Sequence, residues 1–127
     1  GLFLLKFNAW MDRHLTTNKD AEDMSFILDN YLMANLNREA YMEVYDWDDF
    51  DEYVAGGYWL ANDLAKLLTK DQLTYYADRI DEELQLEERS YLISQILNSQ
   101  SDMDYDQVRK TWQVISGVFH SAAEERE

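Results

Sequence analysis

The chain contains no proline and only four glycines, two of them adjacent at Gly56-Gly57, in 127 residues. Strands and hairpins are punctuated by those two residue types, so a chain this poor in them has long stretches free to run as helix. An all-α fold is expected: a single compact bundle of about five to seven helices, with residues 1–127 forming one helical domain.

Apolar spacing of three and four residues places the elements. Phe3, Phe7, Trp10, Met11 and His14 mark a first helix over about residues 2–15, widened by Leu4 and Leu15. Thr16-Thr17-Asn18 breaks it, and Thr17 with Asp20 resembles a capping arrangement for a second helix over about 21–36, whose inner face is Met24, Ile27, Leu28, Tyr31 and Leu32. A short helix is expected over about 38–45, and a longer one over about 50–68 carrying Tyr53, Val54, Gly57, Leu60, Ala61, Leu64 and Leu68. Two adjacent glycines inside a helix cost roughly 1 kcal/mol each relative to alanine, so the pair marks a close helix approach or a kink.

Thr69-Lys70-Asp71-Gln72 reads as a capping box, opening a helix through about Leu84 with Leu73, Tyr76, Ala77 and Ile80 inward. A helix over about 87–99 carries Tyr91, Leu92, Ile96 and Leu97, and the last begins at Ser101-Asp102-Met103-Asp104, with Val108, Trp112, Ile115, Val118 and Phe119 on its buried side. Residues Ala122 to Glu127 are expected to fray. No internal repeat of constant period is present.

Composition bounds the function. Apolar residues at 46%, including four Trp, nine Tyr and five Phe, supply a core despite a net charge of -15. The absence of cysteine removes disulfides and thiolate metal sites and suits a reducing, cytoplasmic setting. Leu2-Phe3-Leu4-Leu5 is broken at once by Lys6 and Asn8, which rules it out as the core of a secretory signal, and no other run approaches a membrane span. With 26 acidic against 11 basic side chains, a polyanion is repelled, so nucleic acid is disfavoured as a partner while basic partners stay open. The chain starts at Gly1 with no initiator Met and no polar leader, and is read as a piece of a longer protein.

Familiar catalytic motifs are missing: there is no Walker loop, no nucleotide-binding glycine fingerprint and no serine elbow. His14 and His120 have no neighbouring His or Cys at ligand spacing, so a zinc site is not expected, and His14 suits a capping or half-buried role. Asp102, Asp104 and Asp106 imitate a calcium loop but place Gln107 at the glycine position and Gln113 at the bidentate glutamate. Asp46, Asp48, Asp49, Asp51 and Glu52 fail the same test.

Two constellations remain. Around Trp47, the acids Asp46, Asp48 and Asp49 interleave with Tyr45, Trp47, Phe50 and Tyr53, a composition suited to a basic protein partner, with aromatics as anchors and acids steering the encounter. Immunity proteins and DNA-mimic inhibitors work in this way. The plainer alternative is that Phe50, Tyr53 and Val54 are core and the acids their wet side. Near the start, Lys6 and Arg13 share a helix face two turns apart, and Asp20 and Asp23 share the next helix's face. Two cations and two carboxylates in one cleft suit triphosphate binding and activation of a hydroxyl; a salt-bridge network joining the two helices accounts for them equally well.

The string Leu5-Lys6-Phe7-Asn8-Ala9-Trp10-Met11-Asp12-Arg13, followed by Lys19-Asp20-Ala21-Glu22-Asp23, resembles the C-terminal part of bacterial nucleotidyltransferases of the minimal nucleotidyltransferase superfamily, which includes the abortive-infection type IV toxins. Ala55-Gly56-Gly57-Tyr58-Trp59-Leu60-Ala61 is similar to that family's small-residue helix. The resemblance implies that Lys6, Arg13 and Lys19 contact nucleotide phosphates and that Asp20 or Asp23 assists catalysis. It further implies a magnesium ion and a nucleoside triphosphate in the parent protein, held with an N-terminal nucleotidyltransferase domain. The family's Gly-Ser motif with its metal-binding carboxylates has no counterpart in these residues, so the chain alone is expected to hold no metal and to transfer no nucleotide.

Overall fold

The computed structural model describes residues 2–48, 50–99 and 103–126, and among them the regular elements are helices alone. Six α-helices follow in order: α1 (Leu2–Arg13), α2 (Lys19–Ala34), α3 (Glu52–Ala65), α4 (Lys70–Gln85), α5 (Tyr91–Ser99) and α6 (Tyr105–Glu125). Short 3-10 turns at Met42–Asp46 and Glu87–Arg89 complete the order. The all-α bundle that the glycine and proline content implies is what forms.

Helix α6 is the axis of the bundle, packing against α3, α4 and α5, while α2 packs on α1, α3 and α5. The sequence-derived stripes supply the core: Phe3, Phe7 and Trp10 from α1, Met24, Leu28 and Leu32 from α2, and Val108, Trp112, Ile115 and Phe119 from α6 are buried. Phe7 stacks on both Trp10 and Trp112, with ring centroids 5.9 and 5.8 Å apart. Three tryptophans, Trp10, Trp59 and Trp112, are each 0% exposed.

Helix α3 is apolar almost all round because it is enclosed between two others. Its glycines make that possible: a methyl group at Gly56 would lie 2.5 Å from the Leu28 carbonyl oxygen of α2, and one at Gly57 would lie 2.8 Å from the Thr111 methyl of α6. The pair marks close approach on two sides.

Caps fix the helix ends. The Thr69–Gln72 capping box forms in both directions at the start of α4, as its spacing predicts. The buried Glu83 reaches from α4 to the start of α5, where Oε1 accepts from Ser90 Oγ at 2.8 Å and from the Leu92 amide at 3.1 Å. Asp51 caps α3 by accepting from the Tyr53 and Val54 amides, and its second oxygen accepts from Gln107 Nε2 of α6 at 2.7 Å.

Several expected boundaries shift. Thr17 and Asp20 do not form a capping box: Thr17 Oγ1 accepts from the Lys19 amide, and Asp20 turns back to Arg13 instead. The helix expected over 38–45 is only the 3-10 turn, because Tyr41 holds the left-handed backbone (φ 54°) and interrupts helical propagation. The expected fraying from Ala122 does not occur before Glu125, since Ala123 is buried and the Arg126 guanidinium donates to the Ala65 carbonyl of α3. The expected start of α6 at Ser101-Asp102 falls outside the described residues; Asp104 is the cap, accepting from the Gln107 amide at 2.8 Å.

Candidate functional site

The first constellation does assemble. Lys6, Arg13, Asp20 and Asp23 lie together where α1 meets α2, because the turn after Arg13 folds the first turn of α2 back against α1. They meet as pairs. Arg13 donates through Nε and Nη2 to both oxygens of Asp20, at 2.7 and 2.8 Å, and Asp20 is 0% exposed. The hydrogen bonds from Arg13 hold the Asp20 carboxyl below the usual carboxylate range against the opposing effect of burial, with the positive charges of Arg13, Lys6 and Lys19 adding to the shift. Asp20 also lies in the first turn of α2, where a negative charge is favoured. Lys6 Nζ contacts Asp23 Oδ2 at 2.8 Å. Lys19, the first residue of α2, is exposed.

This geometry is the interhelical salt-bridge network, with each cation already facing a carboxylate. Magnesium needs several oxygen ligands in near-octahedral array, and here both Asp20 oxygens are occupied by Arg13 while Asp23 is engaged by Lys6. The four residues do not fit a magnesium site.

The second constellation opens to solvent. Residues 41–48 arch over a small satellite core of Leu32, Val44, Ala55 and Trp59, against which Tyr41, Trp47 and Tyr58 pack. Tyr45 and Phe50 stack on one another, centroids 5.3 Å apart, and remain 42% and 40% exposed. Asp46 and Asp48 are exposed beside them, and Asp49 lies outside the described residues. Of the residues the plainer reading assigned to the core, Tyr53 and Val54 are buried and Phe50 is not.

Trp47 is half-buried with its ring edge-on to Tyr58 at 5.4 Å. It walls two open grooves along α6. One, of about 520 Å³, runs between Trp47 and Tyr58 on one side and Val114, Gly117, Val118 and Ala122 on the other, closed by Glu125. The other, of about 370 Å³, lies between Trp47, Asp48, Lys110 and Val114. Gly117 lines the larger groove, and a methyl group there would meet nothing within 4 Å. Glu43 rims the same face and accepts from Tyr58 Oη at 2.6 Å, and burial first, then this bond, pushes the Tyr58 hydroxyl up to about 12.

A polar knot missed in the sequence anchors the arch. Asp63 of α3 accepts both Arg38 nitrogens at 2.7 and 2.8 Å, the Tyr41 hydroxyl at 3.1 Å and the Tyr31 hydroxyl. The Arg38 guanidinium lies over the Tyr41 and Trp59 rings, at 5.9 and 5.8 Å. Its hydrogen bonds outweigh burial and hold Asp63 at about 2. Burial together with the Asp63 charge pushes Tyr31 up to about 12. The left-handed conformation of Tyr41 costs on the order of 1–3 kcal/mol. Tyr41 is held in it from both ends, by its hydroxyl on Asp63 and by its carbonyl, which accepts from Trp59 Nε1 at 3.2 Å. No local spacing in the sequence signals this knot, because Asp63 lies 22 to 32 residues beyond its partners Tyr31, Arg38 and Tyr41.

His14 takes the half-buried structural role expected of it, with Nδ1 3.1 Å from the Trp10 carbonyl and its ring stacked on Trp10. Among the described residues no helix is long and apolar enough to cross a membrane.

No protein-family model, curated protein or solved structure matches this chain.

Proposed function

We propose that this chain is an acidic helical protein-binding module, of the immunity or DNA-mimic inhibitor type, that takes a basic polypeptide against the Trp47 surface in a cytoplasmic setting. The observation that carries this reading is the solvent-facing stack of Tyr45 on Phe50 beside Trp47 and its grooves, rimmed by Glu43, Asp46, Asp48 and Glu125. Aromatic side chains supply contact area at low entropic cost, and a net charge of -15 accelerates encounter with a cationic partner. Gly117 lines the larger groove and faces open space.

The test is an amide-resonance titration with a basic, leucine-containing helical peptide. Saturable shifts confined to residues 42–50 and 114–122, lost in Trp47→Ala, support the reading. Shifts spread evenly over the acidic surface and unchanged by Trp47→Ala sink it.

A second reading keeps the resemblance to nucleotidyltransferases, and the gathering of Lys6, Arg13, Asp20 and Asp23 in one place favours it. In that reading a triphosphate displaces Asp23 from Lys6, and magnesium is held by carboxylates of the N-terminal nucleotidyltransferase domain. The ion pairs rank it second, because a phosphate must compete with carboxylates already in contact with both cations. Calorimetric titration with magnesium and each nucleoside triphosphate, in wild type and Lys6→Ala, decides it: binding lost in the variant restores this reading, and no binding removes its support in this chain.

A further inference from the structure

We propose that Asp78, Asp81 and His120 bind one divalent transition-metal ion of the zinc class, joining α4 to α6. Asp78 and Asp81 are three residues apart on α4 and so share a face. His120 comes from α6, 39 residues beyond Asp81. One ligand atom from each of the three lies within 4.8 Å of the others. His120 Nε2 and Asp81 Oδ2 are 2.8 Å apart. Ligands about 2.0–2.2 Å from a shared ion lie roughly 3–3.5 Å from one another, so the three atoms need only small rotations to close on one.

The carboxylate at the centre of the group is oriented from inside the protein. Ser116 is 3% exposed, and its hydroxyl lies 2.5 Å from Asp81 Oδ1, the oxygen turned away from His120. A hydroxyl that donates to a ligating carboxylate fixes which oxygen faces the ion, an arrangement that metal sites use to set ligand geometry. The frame is stiff, since the long helices α4 and α6 pack along each other. Asp78 is exposed and Asp81 and His120 are half-exposed, which leaves further coordination positions to water.

The donor set selects the ion. One imidazole nitrogen with two carboxylate oxygens suits zinc, cobalt or manganese, whereas calcium and magnesium take oxygen alone. A cation between Asp78 and Asp81 also removes the repulsion between two carboxylates on one helical turn.

The experiment is calorimetric titration of the chain with zinc, and absorption titration with cobalt, both in excess magnesium so that loose attraction to the acidic surface is saturated. One equivalent is expected, with cobalt bands shaped by a nitrogen ligand. His120→Ala and Asp78→Asn each weaken affinity more than about tenfold, and Ser116→Ala weakens it by about tenfold. Asp71→Asn, an exposed carboxylate at the far end of α4, leaves it unchanged. Asp78→Asn alters an exposed side chain and keeps the comparison valid if His120→Ala fails to fold. Absence of binding in wild type, equal losses in Asp71→Asn and Asp78→Asn, or zinc displaced by magnesium overturns the proposal.

Discussion

Gly56 of α3 crosses Leu28 of α2 so closely that a methyl group on Gly56 would sit 2.5 Å from the Leu28 carbonyl oxygen. A backbone atom cannot swing aside as a side chain does, so Gly56→Ala must push two helices apart. It is expected to cost about 1–3 kcal/mol net, although alanine is intrinsically the better helix former by about 1 kcal/mol. Gly57→Ala meets the methyl of the buried Thr111 at 2.8 Å, a side-chain rather than a backbone atom, and is expected to cost less than Gly56→Ala. Gly117→Ala meets nothing and stabilises by about 0.5–1 kcal/mol. Urea unfolding of the three variants checks the order, and a Gly56→Ala as stable as wild type would show that α2 and α3 are not in this contact.

The two ion pairs between α1 and α2 are expected to differ in consequence. Arg13→Ala strands a fully buried carboxylate at Asp20, whereas Lys6→Ala releases Asp23, which is partly solvated. Unpaired buried charge is far more costly than loss of a half-exposed pair. Arg13→Ala therefore lowers the urea midpoint clearly and Lys6→Ala hardly at all, with Asp20→Asn recovering part of the loss in the Arg13 variant. Equal midpoints for the two single variants would contradict the burial of Asp20.

Acid should unfasten the arch. Asp63 sits at about 2 in the folded chain because of its Arg38 bonds, below the ordinary aspartate value of about 3.9. The folded state thus binds fewer protons than the unfolded state in that interval. The stabilisation is complete above the ordinary value and is lost as pH falls from about 4 through about 2. Urea midpoints measured across this range should fall less steeply in Asp63→Asn than in wild type. Asp20, lowered in the same direction, contributes to the slope that remains.

Trp47 should report on its own surroundings. The other three tryptophans are fully buried, so acrylamide quenching of the native chain arises from Trp47. Trp47→Phe is expected to leave emission that resists quenching until the chain unfolds. Strong quenching in that variant would mean that one of Trp10, Trp59 or Trp112 reaches solvent.

Much of the fold was legible because it is written locally. Leu73, Tyr76, Ala77 and Ile80 announce a buried face by spacing alone, and Thr69 with Gln72 announces a helix start within four residues. What escaped is built from residues far apart in the chain. Glu83 caps α5 from the preceding helix, Asp51 is tied to Gln107 across 56 residues, and the Asp63 knot draws on three segments. The exposure of Phe50 was equally hidden, since helical spacing with Tyr53 and Val54 suits a core residue, whereas α3 begins only at Glu52, after an extended Asp51, and leaves Phe50 outside it. The N-terminal charges were visible as a group, but their division into pairs depends on the turn at residues 14–18.

The tethering of Tyr41 to Trp59 and Asp63, and of Asp51 to Gln107, separates scaffold from surface. Little chain entropy is left to lose when Tyr45, Trp47 and Phe50 are covered. Val44 is held in the satellite core, but the exposed positions Tyr45, Asp46, Asp48 and Phe50 can change their chemistry without disturbing the helices beneath. If the chain is the binding module proposed above, such a segment is an exchangeable cassette, in which a few side-chain replacements redirect recognition while the bundle stays as it is.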